Sequence, residues 1–418
     1  MRARNALRLL PIVLAGTLAL PSVVLALRGP APGASAADGG PRVIATIRTG
    51  WGGRSPDGVA VNPNTNRIYV SNNGSNNVSV IDGASNTVVA SVAVGNWPSG
   101  VALNPKTNRI YVANYGSGSV SVIDGAGNTV VATVAVGSGP MDVAVNANTN
   151  LIYVTNYSFY GTVSVIDGTS NALVATVAVG NAPLGVAVNP NTNRIYVANE
   201  VSNAVSVIDG ASNTVVATVA TAIHPVGIAV NPNTDRIYVT NSDSRNVSVI
   251  DGASNTVVVA VAVGHNPYDV AVNPGTNRIY AVTSDFAGND VSIIDGAGNT
   301  VLASVAVASN PHGVAVNLST NRIYVASEQD DTVSVIGNIA PPTPLPPTAT
   351  RTRVPSTPTT HPGVGGKVPL PPAAIAYEPG GTVAGAGESA ATWIVLASAS
   401  AGTLAISGWS AKRRRRVS

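Results

Sequence analysis

Three of the four histidines of this 418-residue chain, His224, His265 and His312, recur beside Pro225, Pro267 and Pro311, with Asp269 close by. Imidazole and carboxylate together make a reasonable donor set for a divalent metal, so these four residues are candidate ligands. Their offsets differ, however. His224 precedes its proline, His265 stands two before, and His312 follows, so spacing alone does not bring them to one point. No cysteine occurs, which excludes disulfides, thiolate metal sites, covalent haem attachment and a cysteine nucleophile. Nothing in the chain has the spacing of a nucleophile and its base, or of a phosphate-cradling loop. The expectation is therefore a non-enzymatic protein with no cofactor. A metal-dependent enzyme, or a lactonase-like or quinoprotein-like one, is the alternative.

The other residues suited to specific contacts are few and clustered in variable segments. They are Trp51, Trp97, Tyr115, Met141, Tyr157, Phe159, Tyr160, Tyr268 and Phe286, with the acidic Glu200, Asp243, Asp285, Asp290, Glu328, Asp330 and Asp331. Exposed aromatics and charges on loops of a rigid scaffold are the usual materials of a recognition surface.

What must position them is a repeat. An Ile-Tyr pair recurs with its tyrosine at 69, 111, 153, 196, 238, 280 and 324, in steps of 42 to 44 residues. A fixed period in this range announces a repeat architecture. Each copy holds four short runs rich in β-branched residues. In the first copy these are 59–61, 67–71, 78–81 and 87–94, separated by clusters of Asn, Gly, Pro and Asp that form turns by tolerating positive φ or fixing φ. Four antiparallel strands per copy match one blade of a β-propeller. The seventh copy lacks its fourth strand, and an orphan strand at 43–47 precedes the first copy. The fold expected is all-β: a seven-bladed propeller over 43–338, closed by the N-terminal strand in a 1+3 arrangement.

Tyr153-Val154-Thr155-Asn156 and Tyr238-Val239-Thr240-Asn241, with near variants at Tyr69-Val70-Ser71-Asn72 and Tyr196-Val197-Ala198-Asn199, resemble the YVTN family of β-propeller repeats. That resemblance implies a bacterial or archaeal surface propeller and says almost nothing of chemistry.

Comparing the seven copies separates constant from variable turns. The connections between strands one and two (N-P-N-T-N) and three and four (D-G-A-S-N) are nearly invariant and share one face. The two-to-three and four-to-one connections vary and share the other, which is the expected binding face. A recurring arginine opening strand two (Arg67, Arg109, Arg194, Arg236, Arg278, Arg322) and an aspartate ending strand three (Asp82, Asp124, Asp167, Asp209, Asp251, Asp295) should pair across strands, except where Leu151 and Gly337 interrupt the pattern.

The ends read as an address. Arginines 2, 4 and 8, an apolar run and Ala34-Ser35-Ala36 lay out a signal peptide over 1–36. A Pro/Thr-rich stalk spans 339–372 and a spacer 373–390. An uncharged run over 391–411, with Trp393 and Trp409 near its ends, is long enough to cross a bilayer as a helix. A basic tail at 412–418 then fits the positive-inside pattern. The chain's net charge of +3 conceals a balance of −7 between residues 38 and 338. An acidic body argues against nucleic acid as partner. The expected protein is thus exported, anchored by its C-terminal helix, and binds an extracellular protein or glycan. A structural surface-layer component, self-assembling with its own copies, is the third reading.

Overall fold

The computed structural model describes residues 40–49, 55–285 and 288–337. The expected signal peptide, stalk, spacer, membrane helix and basic tail lie outside these residues. No helix among the described residues is long and apolar enough to cross a membrane, which says nothing of β-barrels.

Among the described residues, 28 strands form seven four-stranded antiparallel sheets. In the first blade the strands are Pro56–Asn62, Arg67–Asn72, Asn77–Asp82 and Thr87–Ala93. Further blades begin at Pro98, Pro140, Pro183, Pro225, Pro267 and Pro311. The last sheet combines Pro311–Asn317, Arg322–Ser327 and Thr332–Gly337 with the N-terminal strand Arg42–Arg48, which pairs Val43 with Ile336 and Arg48 with Thr332. The ring closes in the 1+3 manner that the unequal strand count required.

The first strand is longer than its hydrophobic run. It starts at the proline, three residues before Val59, and the pairing register slips between Pro56 and Val59. An irregularity of this kind bends the strand and redirects its side chains. As a result Met141, Tyr268, Asp269 and His312 belong to first strands and not to the loops before them.

Blades adhere through their second-strand tyrosines. All seven are fully buried, and Tyr69 packs with Val101, Ile110, Val112 and Ile123 of the next blade. The same arrangement recurs from Tyr111 into blade three and from Tyr324 back into blade one. Burial lifts these phenols well above their usual pKa, to about 12 at Tyr153, Tyr196 and Tyr238. They are packing residues.

The expected cross-strand ion pairs form at Arg67–Asp82 (2.9 Å), Arg109–Asp124 (3.1 Å), Arg194–Asp209 (2.8 Å) and Arg236–Asp251 (2.6 Å), and between Arg278 and Asp295. Where Gly337 replaces the aspartate, Arg322 donates instead to the carbonyl of Gly83 in the neighbouring blade, at 2.9 Å. The aspartates also accept from their own turns. At Asp209 the Ser212 amide holds the carboxyl below its usual range, with lesser help from Ala211, the Ser212 hydroxyl and Arg194. These residues build turns.

Candidate functional site

The two faces of the disc are built differently, beginning with N-P-N-T-N. The first asparagine of that turn uses its side-chain oxygen to accept the amide two residues on: Asn64 N donates to Asn62 Oδ1 at 3.0 Å. Its side-chain nitrogen is then free to leave the blade. Asn62 donates to Asn108, Asn104 to Asn150, Asn146 to Asn193, Asn189 to Asp235, Asn231 to Asn277, Asn273 to Asn321, and Asn317 to Asn66, all at 2.6–2.8 Å. Seven amide bonds thereby run continuously around the ring. Each acceptor is the last residue of the next turn, held at φ of 52–58°, a conformation Asn and Asp tolerate best after glycine. The invariance of this turn follows from its three simultaneous duties.

The opposite face is held by loop-to-loop bonds with freedom in the side chains. Every blade is entered through a residue of positive φ just before the proline: Ser55, Trp97, Gly139, Ala182, His224, Asn266 and Asn310. Tryptophan is uncommon there, since a bulky side chain crowds the backbone, whereas histidine, like asparagine, is among the side chains that tolerate it better. The preceding blade secures the position, with Trp97 N donating to Asn76 Oδ1 at 2.9 Å and His224 N to Asn203 Oδ1 at 2.8 Å. Strain of this sort, kept in place by surrounding bonds, is typical of functional surfaces.

Over blades two and three this face is aromatic. The rings of Trp97 and Tyr115 lie 6.3 Å apart, and Phe159 meets Tyr160 edge-on at 5.3 Å. Gly139 separates Tyr115 from Tyr157. Any side chain there would press on the Tyr115 ring and the Tyr157 carbonyl at 3.1 Å each. Tyr157 donates its hydroxyl to Glu200 at 3.2 Å, and burial followed by the Glu200 charge raises its pKa. Trp97, Phe159 and Tyr160 are 56%, 66% and 84% exposed, so a substantial aromatic surface faces solvent.

Over blades five to seven several acidic side chains serve the loops themselves. Asp330 accepts the Ser309 amide (2.7 Å), Asp331 the Ser55 amide (3.1 Å) and Asp290 the Thr283 hydroxyl (2.6 Å), while Asp243 lies 3.1 Å from His224 Nδ1. Trp51 and Phe286 lie outside the described residues, as does the side chain of Asp285.

At the axis, the first strands enclose a cavity of about 90 Å³, to which each blade gives two residues following its proline. The outer of the two is Asp57, Ser99, Met141, Leu184, Val226, Tyr268 and His312 around the ring; the inner is Gly58, Gly100, Asp142, Gly185, Gly227, Asp269 and Gly313. Close approach explains the glycines: a Cβ at Gly58 would sit 2.5 Å from the Ser99 carbonyl oxygen of the next blade. Two blades carry aspartate instead, three places apart in a ring of seven. Asp142 accepts from its neighbour Val143 N (2.8 Å) and from Val186 N of the next blade (2.9 Å); Asp269 does the same with Val270 N (2.8 Å) and Val314 N (2.9 Å). Burial, only partly offset by these amides, pushes the two carboxyls up to about 6 and about 7.

Above this ring the Tyr268 and His312 rings stack at 4.4 Å. His312 Nδ1 is 3.2 Å from Asp57 Oδ1 and Nε2 is 3.4 Å from Glu328. Asp57 also accepts from Ser99 (2.7 Å), and Glu328 from Asn310 (2.6 Å). Burial opposes charge on His312, but the Asp57 hydrogen bond and the charges of Asp57, Glu328 and Asp269 outweigh it and raise the pKa. Burial, reinforced by Asp57 and Asp269, raises that of Tyr268.

The three histidines therefore have different surroundings: His312 in the axial cavity, His224 on a loop against Asp243, and His265 exposed on the loop before blade six. Among the described residues, no three His, Asp or Glu side chains form a group that could hold a metal ion. Sequence reasoning missed Asp57 and Asp142. The signal was present, since aligning the copies on their prolines reveals glycine in five and aspartate in two.

Comparison with known proteins bears on the fold. Residues 38–140, about a quarter of the chain, match the family described as lactonase, seven-bladed β-propeller. The chain is a seven-bladed propeller, and the part of it that matches this family is confined to residues 38–140. Hydrazine synthase of Kuenenia stuttgartiensis contains a similar structure, with a TM-score of 0.61 at 20% identity, covering 68% of this chain and 95% of that one. This is likeness of fold alone. The PE-PGRS family protein PE_PGRS18 of Mycobacterium tuberculosis is 63% identical over 41 residues, which is 10% of this chain and 9% of that protein. A stretch of that length amounts to a single repeat.

Proposed function

We propose that this protein is a non-enzymatic recognition module. Its loop face would meet an extracellular protein or envelope glycan, held at the cell surface by the C-terminal segment after export. The observation that carries this is the division of labour between the faces. One is fixed by a seven-membered amide belt; the other spends backbone strain on an exposed tryptophan and groups it with four other aromatics. Flat rings beside amides and carboxylates suit either sugar stacking or a protein hot spot. The finer assignment, a YVTN-type surface propeller with signal peptide and membrane helix, belongs to the same proposal. Its test is a glycan array together with an envelope-protein pull-down, using the full chain and a Trp97→Ala/Tyr157→Ala/Phe159→Ala variant. Loss of capture with unchanged melting is the expected result. Equal capture by both proteins would overturn it.

The lactonase-type stretch favours one competing reading, hydrolysis of a cyclic ester in the axial cavity. Against it, both His312 nitrogens lie close to carboxylates, an arrangement that favours the imidazolium and leaves no nitrogen free to act as a base. Turnover of a lactone panel by the full chain, abolished by His312→Ala, would establish that reading in place of ours.

A further inference from the structure

The outer rim of the disc is chemically unlike both faces. Among the described residues, each blade ends in a fourth strand with no strand paired to its outward edge. In blades one to six these strands are Thr87–Ala93, Thr129–Ala135, Ala172–Ala178, Thr214–Ala220, Thr256–Ala262 and Thr300–Ala306. None contains a charged residue or a proline. Exposed edges are ordinarily guarded by such residues or by bulges, because an unpaired row of N–H and C=O groups accepts another strand, and of these guards only a bulge is present here.

Here the edge also carries apolar side chains. Two adjacent aliphatic residues face outward on every one: Val88-Val89, Val130-Val131, Leu173-Val174, Val215-Val216, Val257-Val258 and Val301-Leu302. The second of each pair is about half exposed, 50% at Val89 and 54% at Val174. A register slip lies there in every blade, for Val80 pairs with Ala90 while Ile81 pairs with Val88. Val89 is thus left outside the ladder. The slip interrupts pairing at that end and pushes the aliphatic pair outward, leaving the following residues as a plain edge. The seventh edge differs, being the N-terminal strand with Arg42 and Arg48 at its ends.

We infer that this rim is a lateral contact between copies of the chain, blade edge against blade edge. Charge limits where two copies can meet. The propeller's balance of −7 makes two copies repel, and the acidic side chains lie on the faces and in the cavity. The six neutral edges are where two discs approach at least electrostatic cost. Composition selects the partner, since an edge meeting its own copy opposes aliphatic to aliphatic and donor row to acceptor row. One contact is small. Seven residues at roughly 3.3 Å each make an edge of about 23 Å. At about 10 Å of depth such an edge covers roughly 230 Å², well short of the roughly 800 Å² per partner that stable interfaces bury. Single contacts are therefore transient, and association becomes firm only where each disc engages several neighbours at once. Six such edges around one disc provide that multivalency. This inference is independent of the recognition role proposed for the loop face.

The test is sedimentation velocity of the full chain at rising concentration, beside a variant with lysine at Val89, Val131, Val174, Val216, Val258 and Leu302. Reversible, concentration-dependent association is expected for the natural chain. Like charges placed opposite one another should weaken it at least about tenfold in the variant, with unchanged melting. If six changes compromise folding, lysines on three adjacent blades serve, with a partial weakening expected. In the natural chain, amide exchange of the fourth strands should slow as concentration rises while loop-face amides do not change. A chain monomeric throughout, or association that the lysines leave intact, overturns the inference. So does slowed exchange confined to the faces.

Discussion

The amide-belted face and the aromatic loop face are made by the same repeat, yet one has almost no freedom of sequence and the other has a great deal. The difference lies in what each side chain must satisfy. Asn231, fully buried, accepts the Asn233 amide through one atom and reaches the next blade's Asn277 through the other, at 2.7 Å. On the loop face, ties such as that from Trp97 N to Asn76 engage the backbone of the variable residue, so its side chain is unconstrained. A repeat can diverge wherever its scaffold bonds run through main chain.

That contrast can be broken at several points. The largest effect is expected in the inter-blade core, which supports both faces: Tyr196→Ala should cost about 3–5 kcal/mol, read as a large fall in chemical-denaturation midpoint. Next comes the belt. Asn231→Ala removes two hydrogen bonds and strands the half-buried Asn277, for about 1–3 kcal/mol, without affecting anything bound on the loop face. Equal losses of stability and binding would mean the faces are not separable.

The axial cavity predicts a pH dependence whose sign can be worked out. Asp142 and Asp269 have folded pKa values raised to about 6 and 7, and that of His312 is raised as well. Each contributes stability that is complete below its unfolded value and is lost as pH rises through the folded one. Melting temperature should therefore decline across the interval from about pH 4 to slightly above 7. An Asp142→Gly/Asp269→Gly variant, which copies the other five blades, should flatten most of that decline. An undiminished slope would mean that other groups dominate.

The smallest effect has the opposite sign. Trp97→Asn relieves a bulky side chain at φ 52° and should stabilise by about 1 kcal/mol while removing an aromatic contact from the loop face. A gain in stability with lost binding would be the clearest sign that the strain serves recognition. Destabilisation would mean that Trp97 is structural.

Most of the fold was legible because seven copies restate it. The period, the strand count per blade and the unpaired strand at 43–47 fix the ring and its closure. The Arg–Asp pairs were legible from antiparallel geometry, and the tyrosines as packing from their constancy. What escaped was the site. Met141, Tyr268 and His312 read as loop residues because the first strand's hydrophobic run begins only at its fourth residue, and the slipped pairing before it leaves no alternating pattern. Asp142 was missed for a related reason: its importance, like that of Asp269, lies in replacing glycine, which shows when the copies are aligned on their prolines. The histidines stand at unequal offsets from their prolines and occupy three different surroundings.

The closing strand has one more consequence, a mechanical one. The chain leaves the ring from Gly337, at the end of strand Thr332–Gly337. With Arg42–Arg48 in place, that strand is bonded on both sides, to 42–48 and to 322–327. Tension applied along the exit must then slide two ladders at once, a shear, where an unclasped strand could be peeled off bond by bond. The N-terminal strand thus turns the strand that ends at Gly337 from an edge into an inner strand, bonded on both sides as the third strands of the other six blades are.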